Sequence, residues 1–229
     1  MEETEDNMKR KPVIAIDGYS STGKSSISKA IAKELGIIHM DTGALYRGIT
    51  FYALQYCSKE NKIDLNCLFD SFSNLELQFK ESNQVLELYL NGQNIDHEIR
   101  TQEVSDHVSF IAKQLEVREF LLKTQRDIAK NGGVIMDGRD IATVVLPDAD
   151  YKFFLTASIE ERTRRRYKEL IELGMETPLE TVRENLISRD KIDSEREVAP
   201  LKKADDAILI DNSDITKDET IALILSYIK

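Results

Sequence analysis

At 229 residues and 41% hydrophobic content, the chain can bury a substantial core, and its length suits one domain with an insertion or two small ones. A net charge of −10 excludes a nucleic-acid polymer as the main partner while leaving room for a local basic pocket that takes a small nucleotide. Cys57 and Cys67, with no CxxC pair and no neighbouring histidine, indicate neither a disulfide framework nor a zinc site and are expected as buried thiols.

The start, MEETEDNMKRKP, lacks the apolar core of a signal peptide and reads as a disordered tail over residues 1–12. No apolar run approaches a bilayer span, so no membrane partner and a cytoplasmic location are expected. Residues 13–33, VIAIDGYSSTGKSSISKAIAK, then combine a β-branched strand, a loop bracketed by Gly18 and Gly23, and a helix carrying Ile27, Ala30 and Ile31 at helical spacing. That is G-x-x-x-x-G-K-S between a strand and a helix. Loop amides from Gly18, Tyr19, Ser20, Ser21, Thr22 and Gly23 through Lys24, Ser25 and Ser26 can face a triphosphate, Lys24 adds a full charge, and Ser25 can ligate Mg2+. ATP and Mg2+ are therefore the expected cofactors.

Gly36 stops the helix, residues 37–40 form a second strand, and Asp41-Thr42-Gly43 turns into a helix bearing Arg47. Ligands of open α/β sheets bind at such strand ends, although Asp41 and Thr42 also suit a helix cap. Around residues 71–96 the pattern changes to strict alternation, Leu75, Leu77 and Phe79, then Leu86, Leu88 and Leu90, with a turn at residues 81–84. This is a small antiparallel insertion, followed by Arg100, Ser109 and Arg118. Val134-Ile135-Met136-Asp137 is another apolar strand ending in acid, which suits magnesium held through water, and Arg139 can fork onto phosphate. Asp140, an acceptor at pH 7, suits an amine on a bound ligand, and a mutual Arg139 to Asp140 ion pair is the plainer alternative. After a strand at residues 151–156 comes an arginine run, Arg162 and Arg164 to Arg166, opening a charge-rich helical hairpin that returns through Arg189, Asp193 and Arg196. A final strand at residues 207–210 and a last helix complete the expected α/β order, a three-layer P-loop fold with a central parallel sheet.

The series GYSSTGKSS, DTGALYRG, EIRTQEVS, VREFLLKTQR, MDGRDIATVVLPDAD and REVAPL resembles bacterial cytidylate kinase from residue 13 to the C-terminus. Family loops read close to G-P-S-G-A-G-K, and Tyr19, Ser21 and Thr22 depart from that. The resemblance implies a core of residues 13–70, 111–157 and 197–229, an insertion at about 71–110 that closes over the monophosphate, and a helical lid at about 158–196. It implies CMP and dCMP as acceptors, with Ser109 and Arg118 at the base and Arg162 and Arg165 near the transferring phosphate. It also implies Arg189 and Asp193 at the acceptor's phosphate and sugar, and Arg196 at the base. Thr42, Arg47, Arg139 and Asp140 complete the expected acceptor site. Nearby rivals are a kinase for UMP, AMP or shikimate and a nucleotide-sensing ATPase; a monomer is expected. None of His39, His97 and His107 sits in a motif that asks for a general base.

Overall fold

The computed structural model describes residues 10–60, 62–82 and 85–228. In chain order it contains β1 (Val13–Gly18), α1 (Lys24–Leu35), β2 (Ile38–Asp41), α2 (Thr42–Tyr56), β3 (Ser58–Lys59), β4 (Lys62–Ile63) and α3 (Leu65–Ser71). Then come β5 (Leu77–Ser82), β6 (Val85–Leu90), β7 (Gln93–Asn94), α4 (Gln102–Ala112), α5 (Leu115–Ala129), β8 (Val134–Gly138) and β9 (Tyr151–Thr156). The chain closes with α6 (Ile159–Glu172), α7 (Leu179–Glu195), β10 (Ile208–Asp211) and α8 (Lys217–Tyr227).

Five strands form one sheet in the order β10-β9-β1-β8-β2, every pair parallel. The central strand β1 is buried along its whole length, which its continuous apolar run requires of a strand covered on both faces. One face packs Ile14, Ile16 and Phe153 against Ile27 and Ile31 of α1 and Ile224 of α8. The other packs Ala15, Met40 and Met136 against α2 and α5 and runs on to the insertion. The result is the three-layer P-loop fold, with all strand C-termini opening on one edge.

The insertion is a separate antiparallel sheet, β5-β6-β7, whose Leu77, Leu88 and Leu90 are buried beneath α2. Contact is close enough that a Cβ on Gly48 of α2 would meet Leu88 at 3.0 Å and Leu77 at 3.1 Å. The turn expected at residues 81–84 includes residues 83 and 84, which lie outside the described ones. The arm is an α6–α7 hairpin with its own small core of Leu170, Val182 and Leu186, and Asn185 of α7 donates to Asp106 of α4 at 3.1 Å.

Two expectations change. Residues 1–9 of the expected tail lie outside the described residues, but Lys11 and Pro12 are tied down: their carbonyls accept from Gly133 N and Val134 N, and Lys11 Nζ donates to Gly36 O at 2.6 Å. Cys57 and Cys67 form a disulfide rather than two thiols. The β3–β4 hairpin folds the chain back so that the end of α2 meets the first turn of α3, and the two Cα atoms come within 5.6 Å, inside the range a disulfide spans. Ten residues of separation with an intervening turn left no local signal of that approach.

Candidate active site

At the C-terminal end of β1 the backbone is committed to a loop that only particular residues allow. A Cβ on Gly18 would sit 2.0 Å from Leu155 O of β9, so β1 and β9 can approach only over glycine. Ser21 and Gly23 both take positive φ, 60° and 88°, the alternation that turns successive N–H groups into an anion-holding concavity. Lys24 starts α1 at its positive end and is buried; its Nζ donates to Tyr19 O at 2.6 Å and contacts Thr22 Oγ1 at 3.4 Å. Burial, and then the Arg139 guanidinium, hold the Lys24 ammonium well below the usual lysine range.

Ser20 is where three elements meet that loop. Its N–H donates to Asp190 of α7 at 3.2 Å, its hydroxyl accepts from Arg139 at 2.9 Å, and its carbonyl accepts from Arg162 of α6 at 3.3 Å. Arg162 also pairs with Asp190 and donates to Ala157 O at 3.0 Å. Asp190, missed in the sequence, thus lays a carboxylate on a loop amide; its only signal was an acid beside Arg189 in the arm. Arg165 lies on the outer side instead, bonded to Glu161, to the side chain of Asn212 at 3.0 Å and to the Asn212 carbonyl at 2.7 Å. There a cavity of about 590 Å³ opens, lined by Thr22, Gly23, Ile27, Arg165, Asn212 and Thr216. Ser26 is exposed at its edge.

The ends of β2 and β8 form the next wall. Parallel register sets Asp41 beside Asp137. Burial, with Asp41 nearby, pushes the Asp137 carboxyl up against the pull of His39, whose Nε2 lies 2.7 Å away. His39 could not be read from sequence, because the contact spans two strands. Thr42 donates to Asp137 O at 2.8 Å, and Arg47 pairs with Asp41 at 2.7 Å. Among the described residues no cluster of three metal-binding side chains occurs. The Asp137 carboxylate, at the end of β8, is a hard oxygen donor of the kind that suits magnesium.

Beyond Gly138 a chain of buried charge runs across the cleft. Arg139 donates to Asp193 at 3.0 Å, Arg196 to Asp140 at 3.3 Å, and Arg118 pairs with the other oxygen of Asp140. Asp140 therefore does not pair with Arg139, the plainer alternative above. Arg118 lies 5.3 Å over the Tyr46 ring, and burial pushes the Tyr46 phenol up to about 12. Ser109 is buried on α4 nearby in sequence but makes no hydrogen bond to this group. Arg189 differs from its neighbours: its Nε is buried with no hydrogen-bond partner among the described residues, and burial, then the Arg139 charge, lowers it to about 10. Asp17, the last side chain of β1, stitches the two walls together by accepting from Ile141 N and Ala142 N, each at 2.8 Å.

The family model described as cytidylate kinase matches residues 14–229. The chain is similar to the cytidylate kinase of Bacillus cereus (strain G9842), with 44% identity over 96% of this chain and 97% of that one. It is similar to the cytidylate kinase of Bacillus thuringiensis (strain Al Hakam), with 43% identity over the same shares. Among solved structures, a gluconokinase from Sinorhizobium meliloti 1021 aligns with 95% of this chain and 91% of its own at 15% identity and a TM-score of 0.46.

Proposed function

The chain belongs to the cytidylate kinase family and transfers a phosphoryl group from ATP to CMP, and we propose that the cleft between the glycine loop and the buried charge chain is where it does so. The observation that carries this placement is Arg189, a desolvated cation on α7 beside the Asp190 that bonds the phosphate-type loop at Ser20; the Arg189 Nε has no hydrogen-bond partner among the described residues. An anion with several acceptor oxygens is what such a site lacks.

In this reading residues 18–26 hold the donor phosphates, and the 590 Å³ cavity takes the adenine. Thr42, Arg47, Arg189 and Asp193 receive the acceptor's phosphate and sugar. Ser109, Arg118, Asp140 and Arg196 read its base, with Asp140 as acceptor for the amine that uracil lacks. Ser25, and Asp137 through water, would hold magnesium, which when bound draws off charge between the donor phosphates. No general base is needed. The acceptor is a phosphate monoester with a second pKa of about 6, already dianionic at pH 7. What the protein must do is bring two anions into line, and Lys24, Arg139 and Arg162 supply the charge that spreads over the transferring group. Arg165 sits further out and reaches that group only if its bonds to Asn212 exchange.

Asn185 to Asp106 joins arm and insertion side, the contact expected of two parts that shut water out of a phosphoryl transfer. In the same reading the enzyme acts as a monomer in the cytoplasm, with dCMP as the second acceptor. An ADP-release assay with CMP, dCMP, UMP, AMP or no acceptor tests this. Release should follow CMP and dCMP. Preference for UMP or AMP overturns the base-reading assignment, and equal release without acceptor overturns the closed-cleft mechanism.

A further inference from the structure

Tyr19 is a bulky residue at the second position of a phosphate loop, and its surroundings give it a task. Its ring stands edge-on to Phe154 of β9, with centroids 5.8 Å apart and planes at 90°. The Arg162 guanidinium lies 5.3 Å from the same ring. Both separations fall within the ranges of aromatic and cation–π attraction. Phe154 is itself buried in the central sheet, so the ring rests on a closely packed strand. The remaining contacts of Arg162 are in-plane: Nε to Ala157 O, and Nη1 to Ser20 O and Asp190. In-plane bonds leave the faces of a guanidinium unsupported, and the Tyr19 ring lies within cation–π reach of it.

We propose that Tyr19 is a positioning residue: its ring, braced on Phe154, fixes the plane of the Arg162 guanidinium at the phosphate loop so that the charge is aimed before both nucleotides arrive. This rests on the assignment of Arg162 to the transferring group. The backbone of the same residue holds the other cation, since Tyr19 O accepts from Lys24 Nζ. Side-chain substitution leaves that carbonyl in place, so the effect on Arg162 can be isolated. Residue 19 and residue 162 are brought together only by the parallel pairing of β1 with β9 and the helix that follows β9.

The test is steady-state kinetics of the full chain carrying Tyr19→Leu, Tyr19→Phe, Arg162→Lys or Tyr19→Leu with Arg162→Lys. Tyr19→Met, of similar reach and also without a π face, replaces the leucine variant if that one unfolds. Loss of the ring should lower kcat about fivefold to tenfold with KM for ATP within about twofold of wild type. Tyr19→Phe should recover most of that loss, and the double variant should be no slower than Arg162→Lys. A rise in KM for ATP at unchanged kcat, failure of phenylalanine to rescue, or multiplied losses in the double variant each overturn the proposal. If Arg162→Lys itself turns over normally, the role given to Arg162 fails as well. If Arg162→Lys is slow and Tyr19→Leu is not, only the role of Tyr19 fails.

Discussion

On the proposed donor side of the cleft, Lys24, Arg162 and Arg165 are all engaged with the protein itself, whereas on the proposed acceptor side Arg189 keeps a buried Nε without a hydrogen-bond partner among the described residues. The difference follows from what each side must recognise. A triphosphate brings enough charge to displace internal bonds such as Lys24 to Tyr19 O, so the loop can rest in a self-satisfied state. The acceptor brings one phosphate and a neutral base, and its selectivity must come from groups already set: Arg118 and Arg196 lock Asp140, and Arg139 locks Asp193. In the proposed assignment, Lys24 is charge that the donor can exchange, and the locked groups around Asp140 and Asp193 are charge pre-arranged for the acceptor.

The sharpest way to break that contrast is Lys24→Ala. It should lower kcat by on the order of a thousandfold, the scale on which single cations act in phosphoryl transfer, while CMP affinity by calorimetry stays within about twofold. A comparable loss of CMP affinity would show that the two sides are not separable. Asp140→Ala comes next. It should lower kcat/KM for CMP by about a hundredfold with little change in KM for ATP. It should also lower the thermal midpoint, because two buried guanidinium groups lose their carboxylate, at a cost of roughly 3–5 kcal/mol. Near-normal CMP kinetics would remove Asp140 from base reading. Arg189→Ala should raise KM for CMP about tenfold to a hundredfold, the worth of one or two charge-assisted bonds. Its thermal midpoint should hold or rise, since a desolvated cation is removed; a fall would mean that Arg189 is structural.

The same contrast explains what could be read from sequence. The strand, loop and helix of residues 13–33 are contiguous, so period, glycines and Lys24 announced the fold and pointed to the donor site proposed above. The alternation of Leu86, Leu88 and Leu90 marked the insertion for the same reason. Residues whose meaning lies in a partner far along the chain were opaque. His39 acquires its role only when β2 lies beside β8, and Asp190 only when α7 folds back over Ser20. Asp140 was read as a hydrogen-bond acceptor, but its pairing with Arg118 and Arg196 rather than Arg139 depends on how three elements converge. The Cys57–Cys67 bond required knowing that a two-stranded turn reverses the chain.

Asp17 joins the two sides and allows the finest test, because it ends the strand that feeds the donor loop and accepts from the backbone just after Asp140. Burial pushes its carboxyl from 3.8 up to about 7, and the two N–H donors pull it back only in part. The folded protein therefore keeps a proton over a pH range in which the unfolded chain has released it. This group's contribution to stability is complete below pH 3.8 and is lost as pH rises through about 7. Asp17→Asn cannot ionise, and its amide can accept only one of the two N–H bonds, so it should be less stable than wild type in acid. The gap in unfolding free energy, measured by denaturant titration, should then narrow from pH 5 to pH 8. Its slope is at most about 1.4 kcal/mol per pH unit. A gap that stays constant from pH 5 to pH 8 would mean that the two N–H donors keep Asp17 ionised throughout, because the unfolded chain is already ionised over that range. The seam between donor loop and acceptor turn would then be a fixed charge, as on the acceptor side, rather than one that yields.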